Sequence, residues 1–473
     1  MTSTEYIGKG SYGIVTSTGD KTVTKTCTIF IYEQHNDFYL DDHSIKEAIF
    51  YQIVNKKRKQ SSASFDISIP RVTVTIQHNH SLLFEMQHLG QPLSKIRHSY
   101  GSRPITNTIP IFKQILLGLY SIHKEGFTHG DLKPDNIVVD ENDQVSIIDY
   151  GSICFWHHSI IQPQLYQRCT LYYVSPEELN GKGYSDKNDM WSFGVILFEW
   201  CTGLSFVLTL LKELHVPKKE QDIFLEYTLT GKENSQFNPT QYLSSIYESV
   251  SYSELFQIIT KYIKDRDILK VIGHCLLKDV TIRCSAKRLL ESNVFHTECP
   301  SVEIETLPSY TQINKLNDTL REEMQDNIWW ICQNGYKFTT SIFGHSVTLF
   351  DRILLRANHQ KIYIPPLILA IGCTVLSNMI LKGHLLRASS MIELYNQLKK
   401  KNYDPEIDIE AIKFYISTIF SVSQFFLYNK SVDRLIVEQT LPLHYDLLRE
   451  VCKQYILTTD TTEYVVEEYK KRL

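Results

Sequence analysis

The sequence has little that would tie it to nucleic acid, metal or membrane. Its net charge is only −4 over 473 residues, so no global field draws it to a polyanion or an anionic bilayer. Its ten cysteines include no Cys-x-x-Cys pair. Neither a zinc site nor a disulfide framework is expected, and reduced thiols in an intracellular compartment are. The seventeen histidines show no metal-ligand spacing. No apolar run reaches the roughly 20 residues of a membrane span. The longest, Ile364 to Ile380, is interrupted by Pro365, Pro366, Gly372, Ser377 and Asn378 and reads as a buried core helix. There is no internal repeat and no long low-complexity tract. A glycine-rich stretch begins at Gly8, so no signal peptide is expected. Hydrophobic residues at 43% and charged residues at 22% fit an ordinary soluble folded chain, and its length predicts more than one domain.

What is present is concentrated. His129-Gly130-Asp131-Leu132-Lys133-Pro134-Asp135-Asn136 offers a carboxylate and, five residues on, an amide able to ligate a metal. Asp149-Tyr150-Gly151 follows inside an apolar stretch. Phosphoryl transfer needs these parts: a positioned base for a hydroxyl, and metal to neutralise phosphate charge. Gly8-Lys9-Gly10-Ser11-Tyr12-Gly13-Ile14-Val15 fits G-x-G-x-x-G-x-V and leads into the β-like run Thr22-Val23-Thr24-Lys25. Taken alone, that triplet is an ordinary hairpin turn. Ser44 to Val54 has helical spacing, with Ile45, Ile49 and Ile53 on one face and Glu47 beside them. Leu82 to Gln87 reads as a buried strand entering a connector.

In this order the motifs resemble a serine/threonine protein kinase, and the resemblance implies their roles. Ile7, Gly8, Gly10, Gly13 and Val15 would cover ATP, and Lys25, fixed by Glu47, would hold its α- and β-phosphates. Phe84 would back the adenine, with the backbone from Glu85 to Gln87 bonding its edge. Asp131 would orient the substrate hydroxyl, Lys133 would neutralise the γ-phosphate, and Asn136 and Asp149 would hold Mg2+. Ser175-Pro176-Glu177 resembles the end of an activation segment, with Glu177 expected to pair with Arg283. Asp189 is expected to brace the catalytic-loop backbone. The fold class is α+β: a two-lobed kinase fold, with a β-rich small lobe and an α-rich large lobe, over residues 1–298.

Ser44-Ile45-Lys46-Glu47, and Thr170 to Glu177, narrow the resemblance to the cyclin-dependent kinases. Ser11-Tyr12 falls where those enzymes carry inhibitory phosphorylation. Gly130 replaces the arginine that clamps an activation-loop phosphate, and Leu165 stands where the phosphorylated Thr is expected. With both halves of that switch gone, activity without activation-loop phosphorylation is expected. Val174 replaces an arginine tied to proline-directed specificity.

After a linker at 299–310, residues 311–473 read as all-helical. Met324, Ile328 and Ile331, then Phe343, Val347, Phe350 and Leu354, recur at helical spacing. An anonymous helical bundle satisfies that pattern. The order of Asn327 to Ile331, Phe338-Thr339, Leu349 to Leu354 with Asp351-Arg352, and Leu367 to Ser377 resembles a cyclin box. The arginine expected before the Trp pair falls by spacing on Met324, with Arg321 nearby, and an expected lysine is Asn378. Residues from about 385 onward have room for a partial second repeat or terminal helices.

The combined expectation is an ATP- and Mg2+-dependent kinase acting on Ser/Thr of a protein substrate. Its tethered cyclin-like domain would hold the Glu47 helix in place through an intramolecular contact. A large DNA virus is the source such a one-chain arrangement suggests, and the cytoplasm or nucleus of an infected cell the compartment. Two other readings compete. One is a pseudokinase scaffold that sequesters a cyclin or kinase partner; the other is a kinase whose tail only docks substrates. Lys56-Lys57-Arg58-Lys59 and Lys399-Lys400-Lys401 read as solvated surface before nuclear signals.

Overall fold

The computed structural model describes residues 4–10, 13–18, 22–33, 37–60, 68–77, 81–99, 108–155, 171–181, 183, 185–230, 238–296, 319–335, 338–383, 385–399, 406–424, 427, 443–454, 457 and 462–473. The expectations for Ser11-Tyr12, Leu165, Thr170 and the linker lie outside them.

The small lobe begins with strands β1 (Thr4–Gly10), β2 (Gly13–Thr18) and β3 (Thr22–Thr28). A short hairpin follows, β4 (Phe30–Tyr32) and β5 (Phe38–Leu40), then helix α1 (Asp42–Gln60). Strands β6 (Thr73–Ile76) and β7 (Ser81–Gln87) complete a five-stranded sheet in the order β1-β2-β3-β7-β6. From Asp41 to Tyr51 the chain is buried at every position, Lys46 and Glu47 included. The expected single apolar face of Ile45, Ile49 and Ile53 is thus overridden by tertiary packing, and Ile53 itself is only half-buried.

The large lobe contains β8 (Gln91–Pro92), α2 (Leu93–Ser99), α3 (Thr108–His123), β9 (Phe127–Thr128), the hairpin β10 (Ile137–Val139) and β11 (Val145–Ile147), and β12 (Cys154–Phe155). Eight described helices follow: α4 (Pro176–Leu179), α5 (Asp186–Thr202), α6 (Phe206–Glu213), α7 (Lys218–Thr230), α8 (Pro239–Ser249), α9 (Tyr252–Tyr262), α10 (Arg266–Cys275) and α11 (Ala286–Leu290). Helix α5 is its centre. A Ser185 capping box starts it, Gly203 in the left-handed region ends it, and Asn188 to Glu199 are all buried.

The C-terminal domain is all-α: α12 (Thr319–Asn334), α13 (Phe343–Gln360), α14 (Pro366–Lys382), α15 (Ala388–Leu398), α16 (Ile409–Ser423), α17 (Tyr445–Gln454) and α18 (Thr462–Arg472). Helix α14 is the apolar stretch expected as a core helix, and it packs against α12, α13, α15 and α16. Met324, Ile328 and Ile331 are buried, and Trp329 meets Phe343 edge to face at 5.1 Å. Spacing put Leu354 in the core; Ile353 is the buried residue and Leu354 is half-buried. Among the described residues no single helix is long and apolar enough to cross a membrane.

The chain divides into two compact units. One joins Met1–Lys59 and Val72–Met86 to Glu303–Leu473, so the small lobe and the C-terminal helices form one body. The other comprises Gln60–Arg71 and Gln87–Val302.

Candidate active site

In the small lobe, strands β1 and β2 pair with Gly10 opposite Gly13 and Gly8 opposite Val15, and the register shifts between Tyr6 and Gly8, around Ile7. Gly13 has a packing reason to be glycine: a Cβ there would lie 2.8 Å from both Thr26 O and Cys27 Sγ on β3. Val15 stands opposite Lys25 across β2 and β3. Lys25 Nζ lies 2.7 Å from Glu47 Oε2, and Glu47 is 2% exposed. Two elements distant in sequence are thus joined by a charge-assisted bond that fixes the lysine's position. Burial pushes the neighbouring Cys27 thiol up to about 12, which makes it inert. Phe84 is buried on β7 behind Lys25, whose ammonium lies 6.0 Å from its ring, while Glu85 is exposed. Gln87, at the end of the same strand, is also exposed.

In the large lobe, the β10–β11 hairpin gathers the candidate ligands. Ile137 pairs with Ile147, so Asn136 and Asp149 flank the same open end. Asn136 Nδ2 donates to Asp131 O at 2.8 Å, which assigns its Oδ1 as the candidate ligand atom. Lys133 Nζ sits 2.6 Å from Asp131 Oδ2. Asp149 adopts a left-handed backbone, φ 63°, a conformation non-glycine residues hold where surrounding structure enforces it. The ring of Tyr150 packs beside His129 at 5.0 Å. The amide oxygen of Asn136 and the carboxylate of Asp149 are hard donors, as magnesium prefers, and one or two such ligands suffice when phosphates and water supply the rest.

The catalytic loop is held from below. Asp189 Oδ2 accepts from His129 N at 2.8 Å and Oδ1 from Gly130 N at 3.0 Å. Sequence reasoning missed His123, whose Nε2 lies 2.8 Å from the same carboxylate. Burial opposes the Asp189 charge, but the His123 and His129 contacts outweigh it and hold the carboxyl below its ordinary range. Gly130 is more than a missing arginine. Its φ is +77°, and a Cβ would fall 2.5 Å from Ser152 O. The backbone here is built around glycine, so an arginine could not be restored without moving the segment after Asp149.

Glu177 and Arg283 form a bidentate pair at 2.6 and 2.9 Å, with Arg283 fully buried. Arg283 also donates to Leu277 O and Lys187 O and lies 5.1 Å from the Trp191 ring. Asn188 Nδ2 donates to Ser175 Oγ, and Ser192 Oγ to Tyr173 O. The segment ending at Glu177 is thereby anchored to α5. Val174 is buried.

In the C-terminal domain, the partner of Asp351 is Arg321, not a residue at Met324. Arg321 Nε donates to Asp351 Oδ1 at 2.7 Å, and Leu457 N donates to Oδ2 at 2.8 Å. Met324, one turn further along α12, is apolar core. Asn378 is buried in α14. A contact between this domain and the Glu47 helix was expected; the contacts described here fall on the hairpin that precedes that helix. Ser389 N and Oγ donate to the two oxygens of Asp37, at 3.2 and 2.7 Å. Arg387 meets Glu33 at 2.9 Å, and Lys413 lies 5.2 Å from the Tyr32 ring. Burial works against the Asp37 charge, but the Ser389 hydrogen bonds outweigh it and keep the carboxyl below its usual range.

Parts of this sequence are similar to known proteins. The family model described as protein kinase domain matches residues 1–295. A probable serine/threonine-protein kinase of Dictyostelium discoideum is 29% identical over 219 residues, covering 42% of this chain and 46% of the relative. Serine/threonine-protein kinase grp of Drosophila melanogaster is 41% identical over 93 residues, 20% of this chain and 18% of the relative. Homeodomain-interacting protein kinase 1 of Caenorhabditis elegans is 30% identical over 207 residues, 42% of this chain and 23% of the relative. The chain thus spans less than half the length of each of these relatives. The family match covers more than half of this sequence, and the chain belongs to the protein kinase domain family.

Proposed function

We propose that this chain is an ATP-dependent serine/threonine protein kinase whose C-terminal domain holds it in the active arrangement. The observation that carries the activity is the catalytic loop: Asp131, Lys133 and Asn136 mutually bonded over a backbone braced by Asp189. Asp131 accepts or orients the proton of the substrate hydroxyl, and Lys133 neutralises the γ-phosphate. Lys25, steadied by Glu47, holds the α- and β-phosphates. Asn136 and Asp149 would hold magnesium, which supplies charge neutralisation across the phosphates. The Lys133 position favours Ser/Thr over Tyr as acceptor, and Val174 argues against a requirement for proline after the target residue.

The α1 position is supported by the formed Lys25–Glu47 pair and by the C-terminal domain's contacts to the hairpin that leads into α1. The Arg321–Asp351 pair supports a cyclin-like reading of that domain, because it supplies the arginine that spacing had left missing. Gly130 and Leu165 support activity without activation-loop phosphorylation. Phosphoryl transfer to a Ser/Thr peptide library by wild type and Asp131→Ala tests the activity. A pseudokinase scaffold would show the same background in both, whereas the kinase reading requires transfer that Asp131→Ala abolishes.

A further inference from the structure

Hairpin β4–β5 lies between the C-terminal domain and the helix that carries Glu47. Its second strand runs through Asp41 directly into α1. Helix α15 packs against β5, and Phe38, Ala388 and Met391 are fully buried. Beside this apolar contact the polar groups are complementary: Glu33 and Asp37 come from the hairpin, Arg387 and Ser389 from the C-terminal domain. Ser389 occupies a singular place in that set. Its amide and its hydroxyl both donate to one carboxylate, so any group added to Oγ meets that charge directly.

We propose that Ser389 is a phosphorylation site whose modification releases α15 from hairpin β4–β5. In the transfer, the terminal phosphoryl group of a nucleoside triphosphate passes to Ser389 Oγ. Its bond to the bridging oxygen breaks, the nucleoside diphosphate leaves, and the hydroxyl proton goes to the base of the phosphorylating kinase. The product has no hydroxyl donor for Asp37, and it adds roughly −1.5 to −2 of charge beside that carboxylate. The cation whose charge acts on Asp37, Arg387, is engaged with Glu33. Drawing it to the phosphate would break that pair as well. Ser389 also stands in the first turn of α15, where the preceding Arg387 provides no side-chain cap. The repulsion from Asp37 is present only in the docked state, so the phosphate penalises docking.

The effect on activity rests on the activation proposed above, so the test reads docking separately. Amide hydrogen exchange is measured on the full chain as wild type, Ser389→Ala, Ser389→Asp, and Ser389→Asp combined with Asp37→Lys. Alanine keeps the amide bond to Asp37 and should change little. Ser389→Asp should raise exchange in Phe30–Leu40 and α15 by about tenfold or more. Adding Asp37→Lys should restore protection by replacing repulsion with attraction. Exchange unchanged in Ser389→Asp, or failure of Asp37→Lys to restore it, overturns the release mechanism. Mass spectrometry of the full chain after incubation with Mg-ATP, and of the chain recovered from cells, should find phosphate on Ser389. Its absence from both overturns the site. If Ser389→Asp opens the hairpin while phosphoryl transfer stays at the wild-type rate, release stands and activation by docking falls.

Discussion

The catalytic loop and the Glu47 helix are both fixed by buried carboxylates, but by supports of different kinds. In the large lobe, Asp189 is 1% exposed and accepts two backbone N–H groups and a histidine ring. Glu177 and Arg283 are matched bidentately in the same interior. Such buried, hydrogen-bonded networks hold one geometry. Helix α1 is as deeply buried through Tyr51, yet beside the apolar packing of β5 on α15 the polar ties of the hairpin feeding it run through Asp37, Glu33, Arg387 and Ser389, all wholly or partly open to solvent. Contacts of that kind are weak and responsive to charge. On the proposed function, the chemistry is fixed in one region and its control adjustable in the other.

The largest effect should come from the fixed side. Asp131→Ala should lower phosphoryl transfer by roughly 10²–10⁴-fold, with the denaturation midpoint little moved. Next come the buried pairs. Glu177→Ala strands Arg283, and Asp351→Ala strands Arg321; each should cost about 3–5 kcal/mol in chemical denaturation. A loss below 1 kcal/mol in either would dissolve the contrast between rigid and adjustable supports.

A smaller effect is expected where α1 begins. Burial raises the Asp41 carboxyl to about 6, against a hydrogen bond from Ser44. Its folded value lies above the ordinary 3.8, so the folded state binds the proton more tightly. Stability from this group is present below pH 4 and is lost as pH rises through about 6. Asp41→Asn should therefore stabilise the chain at pH 7 by on the order of 2 kcal/mol. It should also flatten the pH 4–7 stability profile measured by denaturation. The smallest effect belongs to Arg387→Ala. That side chain is 60% exposed, and its loss should cost under about 1 kcal/mol and shrink further in high salt.

Much of the site was legible because its chemistry is local. The run from His129 to Asn136 carries its base, cation and amide within one loop, whereas Glu47 as the partner of Lys25 came from the resemblance to protein kinases. Glu177 and Arg283 were readable only through the family pattern, since no local rule joins residues 106 apart. Arg321 shows where spacing fails. It and Met324 lie one turn apart on α12, and counting back from the Trp pair cannot choose between neighbouring turns of one face. The structure decides by placing Asp351 and the carbonyl oxygens of Cys452 and Lys453 on Arg321. The Asp37–Ser389 contact had no sequence signature at all. It joins residues 352 apart through one aspartate and one serine of ordinary type. Gly130 was legible as a departure, but its left-handed backbone and its closeness to Ser152 O were not.

The most direct test of the account compares phosphoryl transfer to a Ser/Thr peptide library by the full chain and by a chain ending at Val302, with ATP binding measured on both. The full chain should transfer phosphate without prior modification of its activation segment. The shortened chain should bind ATP yet lose about tenfold or more in rate, as expected when the Lys25–Glu47 arrangement is no longer favoured. Equal rates for the two would contradict the claim that the C-terminal domain holds the kinase active.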